Sequence, residues 1–192
     1  MPRLTEDVLP AGTLAGREQP RIPGNGVLLR PWRATDRAAV VAGYTDPGIQ
    51  RWHARSMDDT EARDWITGWG ARWRAETGAG WAVVAAEAED TVLGQISLRR
   101  IHLDEARAEV SYWVLPAARG HAVAPRALDA LAGWGFTGLG LHRIEVAHST
   151  ANPASCRVAE RAGFALEGTK RAEVLHADGW HDMHLHARLD TD

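Results

Sequence analysis

The fold is decided by one stretch of the chain, residues 106–125, which reads ARAEVSYWVLPAARGHAVAP. Its first half has the composition of a strand, and its second half is a loop of small residues that leads into a helix. Free N–H groups and the dipole at the start of such a helix favour a phosphate group, and small side chains let that group approach the backbone. A packing turn without a ligand has the same pattern. The residues alone therefore leave both interpretations open.

Length and composition favour one globular domain. The chain has 192 residues, of which 45% are hydrophobic and 24% are charged, as is usual for globular proteins. Its formal net charge at pH 7 is −3. A protein of this charge has no basic field for a polyphosphate backbone, so we expect no nucleic-acid partner.

Cysteine content and the first residues bear on location. Cys156 is the only cysteine, so the chain has no internal disulfide and no thiolate cluster. Residues 1–12 carry acids and prolines where a signal peptide has a basic start and an apolar run. No apolar stretch is long enough to cross a bilayer. We expect a cytoplasmic protein with no membrane partner.

The hydrophobic pattern predicts an α/β protein with one mixed, mostly antiparallel sheet of about seven strands and helices on both faces. Residues 1–26 are rich in Pro and Gly and are expected to form an arm, and residues 27–190 are expected to form the domain. Strands are predicted at 27–32, 81–88, 91–101, 106–115 and 141–148, with two more around the turn at 177–179. Helices are predicted at 36–44, where Asp36 is the expected cap, and at 58–75, 124–138 and 152–163.

Several motifs, in order along the chain, resemble one enzyme family. The loop RGHAVA (119–124) is similar to the Arg/Gln-x-x-Gly-x-Gly/Ala loop of the GNAT superfamily of N-acetyltransferases. Residues 141–171, LHRIEVAHSTANPASCRVAERAGFALEGTKR, resemble the branch of that superfamily that acetylates the N-termini of ribosomal proteins. The strand AEVSYWVLP and the closing GWHDMHLHARL fit the same branch. The resemblance covers roughly residues 27–189.

The resemblance implies a GNAT fold and direct transfer of an acetyl group from acetyl-CoA to an amine within a ternary complex. The family often forms dimers, so a homodimer is compatible with the resemblance, but the sequence does not give the oligomeric state. The cofactor residues that it implies are Trp113, Val114, Leu115, Arg119, Gly120, His121, Ala122, Val123, Ala124 and Asn152. The alternative for Asn152 is a helix cap, and the alternative for 113–115 is an ordinary paired strand end. The family's central loop glycine is Ala122 here, and an alanine forced to positive φ costs on the order of 1 kcal/mol.

Proton transfer needs a base for the ammonium and an acid for the departing thiolate. Glu109 on the central strand and Glu173 on a later strand are the candidate bases, and each can equally be a solvated strand carboxylate. Glu173 lies one residue closer to Gly168 than the family pattern expects, and a slip of one residue reverses the face of a strand. Ser155 matches the serine thought to act on the thiolate, and its alternative role is capping the helix.

Aromatic residues offer a candidate acceptor pocket. Trp65, Trp69 and Trp73 lie at i, i+4 and i+8 and form one stripe of a helix. We expect this stripe to be core, with the wall of an acceptor pocket as the alternative. Trp52 and His53, in the preceding loop, are candidates for substrate contact.

Histidines near the end of the chain suggest a metal only at first sight. On a strand, His184 and His186 share one face and His181 has the other, so three ligands do not converge and no metal site is expected. His184 or His186 is expected to border the acceptor site. Cys156 has no adjacent base and is expected to be a buried helix residue, not an acyl carrier.

The sequence thus predicts an acetyl-CoA-dependent N-acetyltransferase whose acceptor is a protein N-terminus or a small amine. Two alternatives remain open. One is transfer of a larger acyl group such as succinyl, and the other is a non-catalytic, acyl-CoA-binding regulatory domain.

Overall fold

The computed structural model describes residues 4–192, which form one mixed sheet with helices on both faces. The strands are β1 (Ile22–Pro23), β2 (Val27–Pro31), β3 (Gly78–Ala85), β4 (Ala88–His102), β5 (Arg107–Val114), β6 (Arg143–Ser149), β7 (Ala165–His176) and β8 (Gly179–Leu189). Their order in the sheet is β1-β2-β3-β4-β5-β6-β8-β7, and only β5 and β6 pair in parallel. The predicted mixed, mostly antiparallel sheet is confirmed. The eighth strand is the short β1, which comes from the expected arm.

Five helices cover the sheet. They are α1 (Arg37–Thr45), α2 (Pro47–His53), α3 (Asp59–Arg74), α4 (Val123–Trp134) and α5 (Pro153–Arg161). A 3-10 turn (Ala34–Asp36) precedes α1, another (Pro116–Ala118) follows β5, and a π-helical turn (Gly135–Leu139) extends α4. Among residues 4–192, no helix is both long enough and apolar enough to cross a membrane.

The core lies on both faces of the sheet. On one face, α4 and α5 pack with Ala108 and Val110 of β5 in the larger cluster. On the other face, α1, α2 and most of α3 pack with Trp113. Because successive side chains of a strand point to opposite faces, β5 contributes to both clusters and is the central support of the fold.

Local signals explain most helix starts. Asp58 accepts a hydrogen bond from the Glu61 N–H at 2.8 Å, and the Glu61 side chain accepts one from the Asp58 N–H, so α3 begins with a capping box as the acidic turn predicted. Helix α2 was expected to be loop. Asp46 caps it by accepting from the Ile49 N–H at 2.9 Å, and Pro47 occupies its first position.

Asp36 does not cap α1, so that expectation is wrong. Its buried carboxylate accepts two hydrogen bonds from the Arg30 guanidinium, at 2.7 and 2.8 Å, and one from the Arg33 N–H at 2.7 Å. A charge-assisted bidentate pair outcompetes a cap, because the buried Arg30 needs a counter-ion.

The arm packs against the domain over residues 8–26, whereas Leu4 is fully exposed and the first three residues of the expected arm lie outside the described chain. Leu14 is fully buried in the larger core cluster, and Ile22 joins it from β1. The Glu76 carboxylate accepts hydrogen bonds from the backbone N–H groups of Gly12 at 2.7 Å and Leu14 at 2.6 Å. The segment is therefore part of the packed structure.

The sheet opens between β5 and β6. Their parallel pairing ends where Val110 lies opposite Val146. Beyond that point β5 continues along β4 to Val114, and β6 continues along β8 to Ser149. The two strands therefore leave a gap beside residues 111–114, and the candidate site surrounds it.

Candidate active site

The edge of β5 that faces the gap carries backbone groups without a strand partner. The Leu115 N–H donates to the Leu93 carbonyl at 2.9 Å, on the β4 side. Alternate residues of a strand present their N–H and C=O groups to opposite sides. The backbone groups of Val114 and Tyr112 therefore point into the gap. A peptide-like arm can pair with this edge as an added strand.

Trp113 and Leu115 lie beside the gap without facing it. The Trp113 backbone faces β4, and its indole is buried against Gly43 and 5.8 Å from the Tyr44 ring. Of the three strand residues expected to hold the cofactor, Val114 presents its N–H to the gap. Trp113 packs behind the strand and supports it.

Two residues of the loop after β5 have the left-handed backbone conformation that favours glycine. Gly120 has φ of 84°, and Ala122 has φ of 53° and ψ of 27°, so both are left-handed. Ala122 is the N-cap residue of α4 and provides no side-chain cap, so the first N–H groups of that helix are open to a ligand. The strain that Ala122 introduces is therefore real, since an L-residue at positive φ is disfavoured.

Two arginines hold this loop in place. The Arg119 side chain forms an ion pair with Asp46 and donates from Nε to the Val114 carbonyl at 3.2 Å. The hydrogen bond from Arg119 lowers the pKa of Asp46. The Arg126 Nε donates to the Ala122 carbonyl at 3.2 Å. The loop is thus tied to β5, to α2 and to its own helix before any ligand binds.

A cavity of about 670 Å³ lies beside the gap and gathers the predicted catalytic side chains. It is lined by the candidates Glu109, Ser155, Glu173 and Asn152, and by the aromatic candidates Trp52, His53, Trp65 and Trp69. The loop at 119–124 does not line this cavity. Trp65, Trp69 and Trp73 are all buried, as expected of core, and the first two also form cavity wall. Trp52 and His53 belong to α2, not to a loop.

The two candidate bases face the same space. Glu109 accepts hydrogen bonds at 2.8 Å from the Arg100 guanidinium, and Glu173 accepts one at 3.3 Å from Lys170. Strand β7 bulges between Lys170 and Val174, where Ala172 has φ of 47°. Strict alternation does not apply within a bulge, so the spacing argument against Glu173 loses its basis.

Ser155 lies in the first turn of α5 and does not cap it. The cap is Asn152, whose Oδ1 accepts from the Ser155 N–H at 3.2 Å. The alternative role considered for Ser155 is therefore wrong. The Tyr112 hydroxyl lies 3.5 Å from the Ser155 carbonyl, and burial raises the pKa of Tyr112 to about 12. Sequence reasoning missed Tyr112, whose phenol stays protonated at neutral pH beside Ser155.

Arginines give the cavity a positive character. Arg55 and Arg99 line it, and neither forms an ion pair among residues 4–192. Arg72 also lines it and stacks on Trp69, 4.7 Å from the ring centre. Burial lowers the pKa of His53 to about 4, and its Nε2 lies 3.1 Å from the Tyr112 carbonyl. Nothing in the local sequence marks these arginines, because they come from three separate elements.

The chain is similar in sequence to known proteins. The sequence model of the acetyltransferase (GNAT) domain matches residues 27–165. A ribosomal-protein-serine acetyltransferase of Escherichia coli (strain K12) is 37% identical over 102 residues, which are 53% of this chain and 56% of that protein. An uncharacterized N-acetyltransferase of Bacillus subtilis (strain 168), YoaA, is 25% identical over 162 residues, 83% of this chain and 90% of the relative. The chain thus spans about half the length of the first relative.

Solved structures agree on the fold. RimJ of Mycobacterium smegmatis, in complex with a CoA disulfide, superposes with a TM-score of 0.79 at 25% identity, covering 88% of this chain and 86% of its own. A GNAT-family acetyltransferase from Bacillus anthracis has a TM-score of 0.79 at 22% identity, covering 90% of this chain and 99% of its own. The family predicted from the motifs is confirmed. With its split sheet, its loop and these relatives, the chain belongs to the acetyltransferase (GNAT) domain family.

Proposed function

We propose that this protein transfers an acetyl group from acetyl-CoA to a primary amine by direct attack in a ternary complex. The gap between β5 and β6 is the observation that carries the proposal. The N–H groups of Tyr112 and Val114 face this gap and can pair with the pantetheine arm of the donor, while the open N–H groups at the start of α4, which follows β5 in the chain, can bind the diphosphate. The cavity with the candidate bases opens on the same gap.

The chemical roles follow from the positions of the side chains. The Val114 N–H polarises the thioester carbonyl, and the amine nitrogen attacks its carbon while the C–S bond breaks. Glu109 or Glu173 takes the proton that the ammonium must lose. As the amide forms, the nitrogen loses a second proton, and the Ser155 hydroxyl, with the neutral Tyr112 phenol beside it, relays that proton to the departing thiolate, so that Ser155 ends the step protonated. The chemistry of this family requires no metal.

The acceptor that the cavity suits best is the N-terminus of a protein. Val174 and Leu175 line the cavity and are exposed, and Trp180, across the same hairpin, is 65% exposed. An apolar rim of this kind is typical of a surface that contacts a peptide. Arg55 and Arg99 add charge that favours an acceptor with a carboxylate near its amine. The cytoplasmic location and the homodimer stay predictions.

A regulatory domain that binds acyl-CoA without catalysis is the second candidate, and Ala122 is the observation that favours it. Its left-handed conformation strains the loop in which the family has glycine. Transfer of a larger acyl group, such as succinyl, stays an alternative. A comparison of succinyl-CoA with acetyl-CoA as the acyl donor tests it.

An acceptor panel separates these candidates. Thiol release from acetyl-CoA is measured with short peptides that have acidic or neutral residues after the free N-terminus, with the same peptides blocked, and with small amines. We expect release with free peptides, faster for the acidic ones, and none with blocked peptides. Tight binding of acetyl-CoA without release from any amine would favour the regulatory domain, and preference for succinyl-CoA would favour the larger acyl group.

A further inference from the structure

Four potential metal ligands meet on the face of the sheet beneath α5. They are His148 on β6, His184 and His186 on β8, and Cys156 in the first turn of α5. One donor atom from each lies within 4.8 Å of every other. We propose that these four residues bind one zinc ion.

The sheet register builds the cluster. His148 lies opposite His184 in the β6–β8 ladder, and His186 lies two residues further along β8, so the three side chains share a face. The His148 ring is 5.1 Å from the His186 ring and 5.4 Å from the His184 ring, between centroids. Helix α5 crosses this face and brings Cys156 Sγ to 3.8 Å from His186 Nε2.

Backbone carbonyls orient two of the imidazoles as they do in metal sites. His148 Nδ1 lies 2.9 Å from the Ser149 carbonyl, and His186 Nδ1 lies 3.3 Å from the Phe164 carbonyl. A ring nitrogen that donates to a carbonyl leaves the other nitrogen as a lone-pair donor, which is the usual arrangement of a metal-binding histidine. In both residues the remaining nitrogen, Nε2, is the one available to the cluster.

Unpartnered nitrogens point to a missing ligand. His148 Nε2 and His184 Nδ1 are buried and have no hydrogen-bond partner among residues 4–192, and His148 is only 6% exposed. Buried polar atoms without a partner are rare in folded proteins and call for an explanation. A cation bound by lone pairs satisfies both nitrogens together.

The donor set selects the metal class. Three imidazoles and a thiolate suit tetrahedral zinc and not magnesium or calcium, which prefer oxygen. Zn–N bonds of about 2.0–2.1 Å and a Zn–S bond of about 2.3 Å place tetrahedral ligand atoms roughly 3.3–3.6 Å apart. Since the donor atoms lie within 4.8 Å of one another, the widest separation needs to shrink by at most about 1.2–1.5 Å.

Cys156 is partly buried, so the expectation of a fully buried helix residue is wrong. Burial and Glu160 raise the pKa of its thiol, which argues against an acyl-carrying role.

The expectation of no metal site rested on the three histidines of β8 alone. His181 does point away from the other two: its Nδ1 lies 2.7 Å from Ser149 Oγ and its Nε2 lies 2.8 Å from Asp178 Oδ1. The missing ligands come from β6 and α5, which are distant from β8 in sequence. Histidine spacing within one strand does not predict such a site.

The site lies at the wall of the catalytic cavity. His148 and His184 line that cavity, and Cys156 follows Ser155 in α5. An ion bound here fastens the first turn of α5, with Ser155, to β6 and β8. Because the family's chemistry requires no metal, we assign the ion a clamping role and no part in acetyl transfer.

Cobalt titration of the untagged protein tests the site and needs neither acetyl-CoA nor acceptor, so it is separate from the proposed activity. Since Cys156 is the only cysteine, a thiolate-to-cobalt charge-transfer band reports that residue alone. We expect the band to saturate at one Co²⁺ per chain, to be bleached by Zn²⁺, and to be accompanied by at least tenfold slower alkylation of Cys156.

Variants decide which residues hold the ion. Cys156→Ser should abolish the band, and His184→Gln should weaken binding at least tenfold. The matched control His181→Gln, on the same strand but the opposite face, should bind as the parent does. The proposal is overturned if the parent shows no band and no protection of Cys156. It is also overturned if Cys156→Ser binds zinc as tightly as the parent, an outcome that does not depend on whether His184→Gln folds.

Discussion

The two tryptophan clusters of this protein differ in how their indole N–H groups are satisfied. Beneath the arm, Trp73 and Trp81 donate at 2.8 Å to the carbonyls of Arg17 and Pro20. Around the gap the indole groups of Trp32 and Trp69 are buried without a partner among residues 4–192.

Buried histidines around the gap also have ring nitrogens without a hydrogen-bond partner among residues 4–192. The buried histidine nitrogens without a partner belong to residues that line the catalytic cavity: His148, His176 and His184. An unsatisfied buried polar group costs about 1–3 kcal/mol. The indole groups on the arm side of the sheet are hydrogen-bonded, whereas the gap side has buried polar groups without a partner among residues 4–192, and several of these line the candidate cavity.

The largest expected effect is a loss of activity when a cavity side chain on the gap side of the sheet is changed. Glu109→Gln removes a candidate base from the cavity and should lower kcat by about 10²–10⁴-fold, the usual contribution of general base catalysis. The substitution is nearly isosteric, so KM for acetyl-CoA and the melting temperature should change little. Steady-state kinetics with the best acceptor of the panel, together with thermal unfolding, measure all three.

Further substitutions test whether the loss of kcat is specific to Glu109. Glu105→Gln alters an exposed carboxylate paired with Arg107, outside the cavity, and should leave kcat unchanged. Glu173→Gln tests the second candidate base. Ser155→Ala should also lower kcat more than it weakens acetyl-CoA binding. Normal turnover in both Glu109→Gln and Ser155→Ala would remove these assignments.

A pair of tryptophan substitutions tests the contrast in stability. Trp81→Phe removes the donor to the Pro20 carbonyl, whereas Trp69→Phe removes an N–H that has no partner. Both changes delete the same atoms from buried rings, so the difference between them reports mainly the hydrogen bond. We expect Trp81→Phe to lower the free energy of unfolding by about 1–2 kcal/mol more than Trp69→Phe in urea titrations. Equal losses would contradict the distinction between the clusters.

The strained loop residue predicts a smaller gain. Ala122 already has φ of 53° in this structure, so its strain is present whether or not acetyl-CoA is bound. Ala122→Gly should therefore raise the free energy of unfolding by up to about 1 kcal/mol and leave the affinity for acetyl-CoA nearly unchanged. Ala106→Gly, at φ of 48° between β4 and β5, is the matched control and should give a similar gain in stability. Urea titration and calorimetry measure the two quantities, and tightening of acetyl-CoA binding by about fivefold or more in Ala122→Gly alone would contradict a loop that has its binding conformation beforehand.

A dependence of stability on pH follows from the burial of His53. Burial lowers the pKa of His53 to about 4 in the folded protein, against 6.5 when the residue is free. Between these values the unfolded chain binds more protons, so stability should fall as the pH drops from about 6.5 to about 4. His53→Gln should reduce this slope by at most one proton, or about 1.4 kcal/mol per pH unit. Urea titrations across this range would contradict the burial of His53 if parent and variant had the same slope.

The sequence predicted most helices and strands correctly, but it predicted poorly which side chains come together in space. The strand–loop–helix at 106–125 was correctly predicted, because its signals are local in the chain. Helix α2 was missed although Asp46 and Pro47 mark its start, because its seven residues are too short for a periodic pattern. The bulge that brings Glu173 to the cavity was missed because alternation assumes a regular ladder.

Cavity chemistry was the hardest part to predict. Tyr112, Arg99 and His148 come from three different strands, and each is unremarkable among its sequence neighbours. Only the register of the sheet and its splay after Val110 bring them together. Long-range pairing is the information that a single sequence without alignment does not contain.

Titration of acetyl-CoA into the purified protein, followed by addition of an N-terminal peptide, tests the central claim most directly. The account predicts saturable calorimetric binding of one acetyl-CoA per chain and release of one thiol for each peptide acetylated. Protein that takes up no heat with acetyl-CoA or free coenzyme A at millimolar concentration, and releases no thiol, would contradict it.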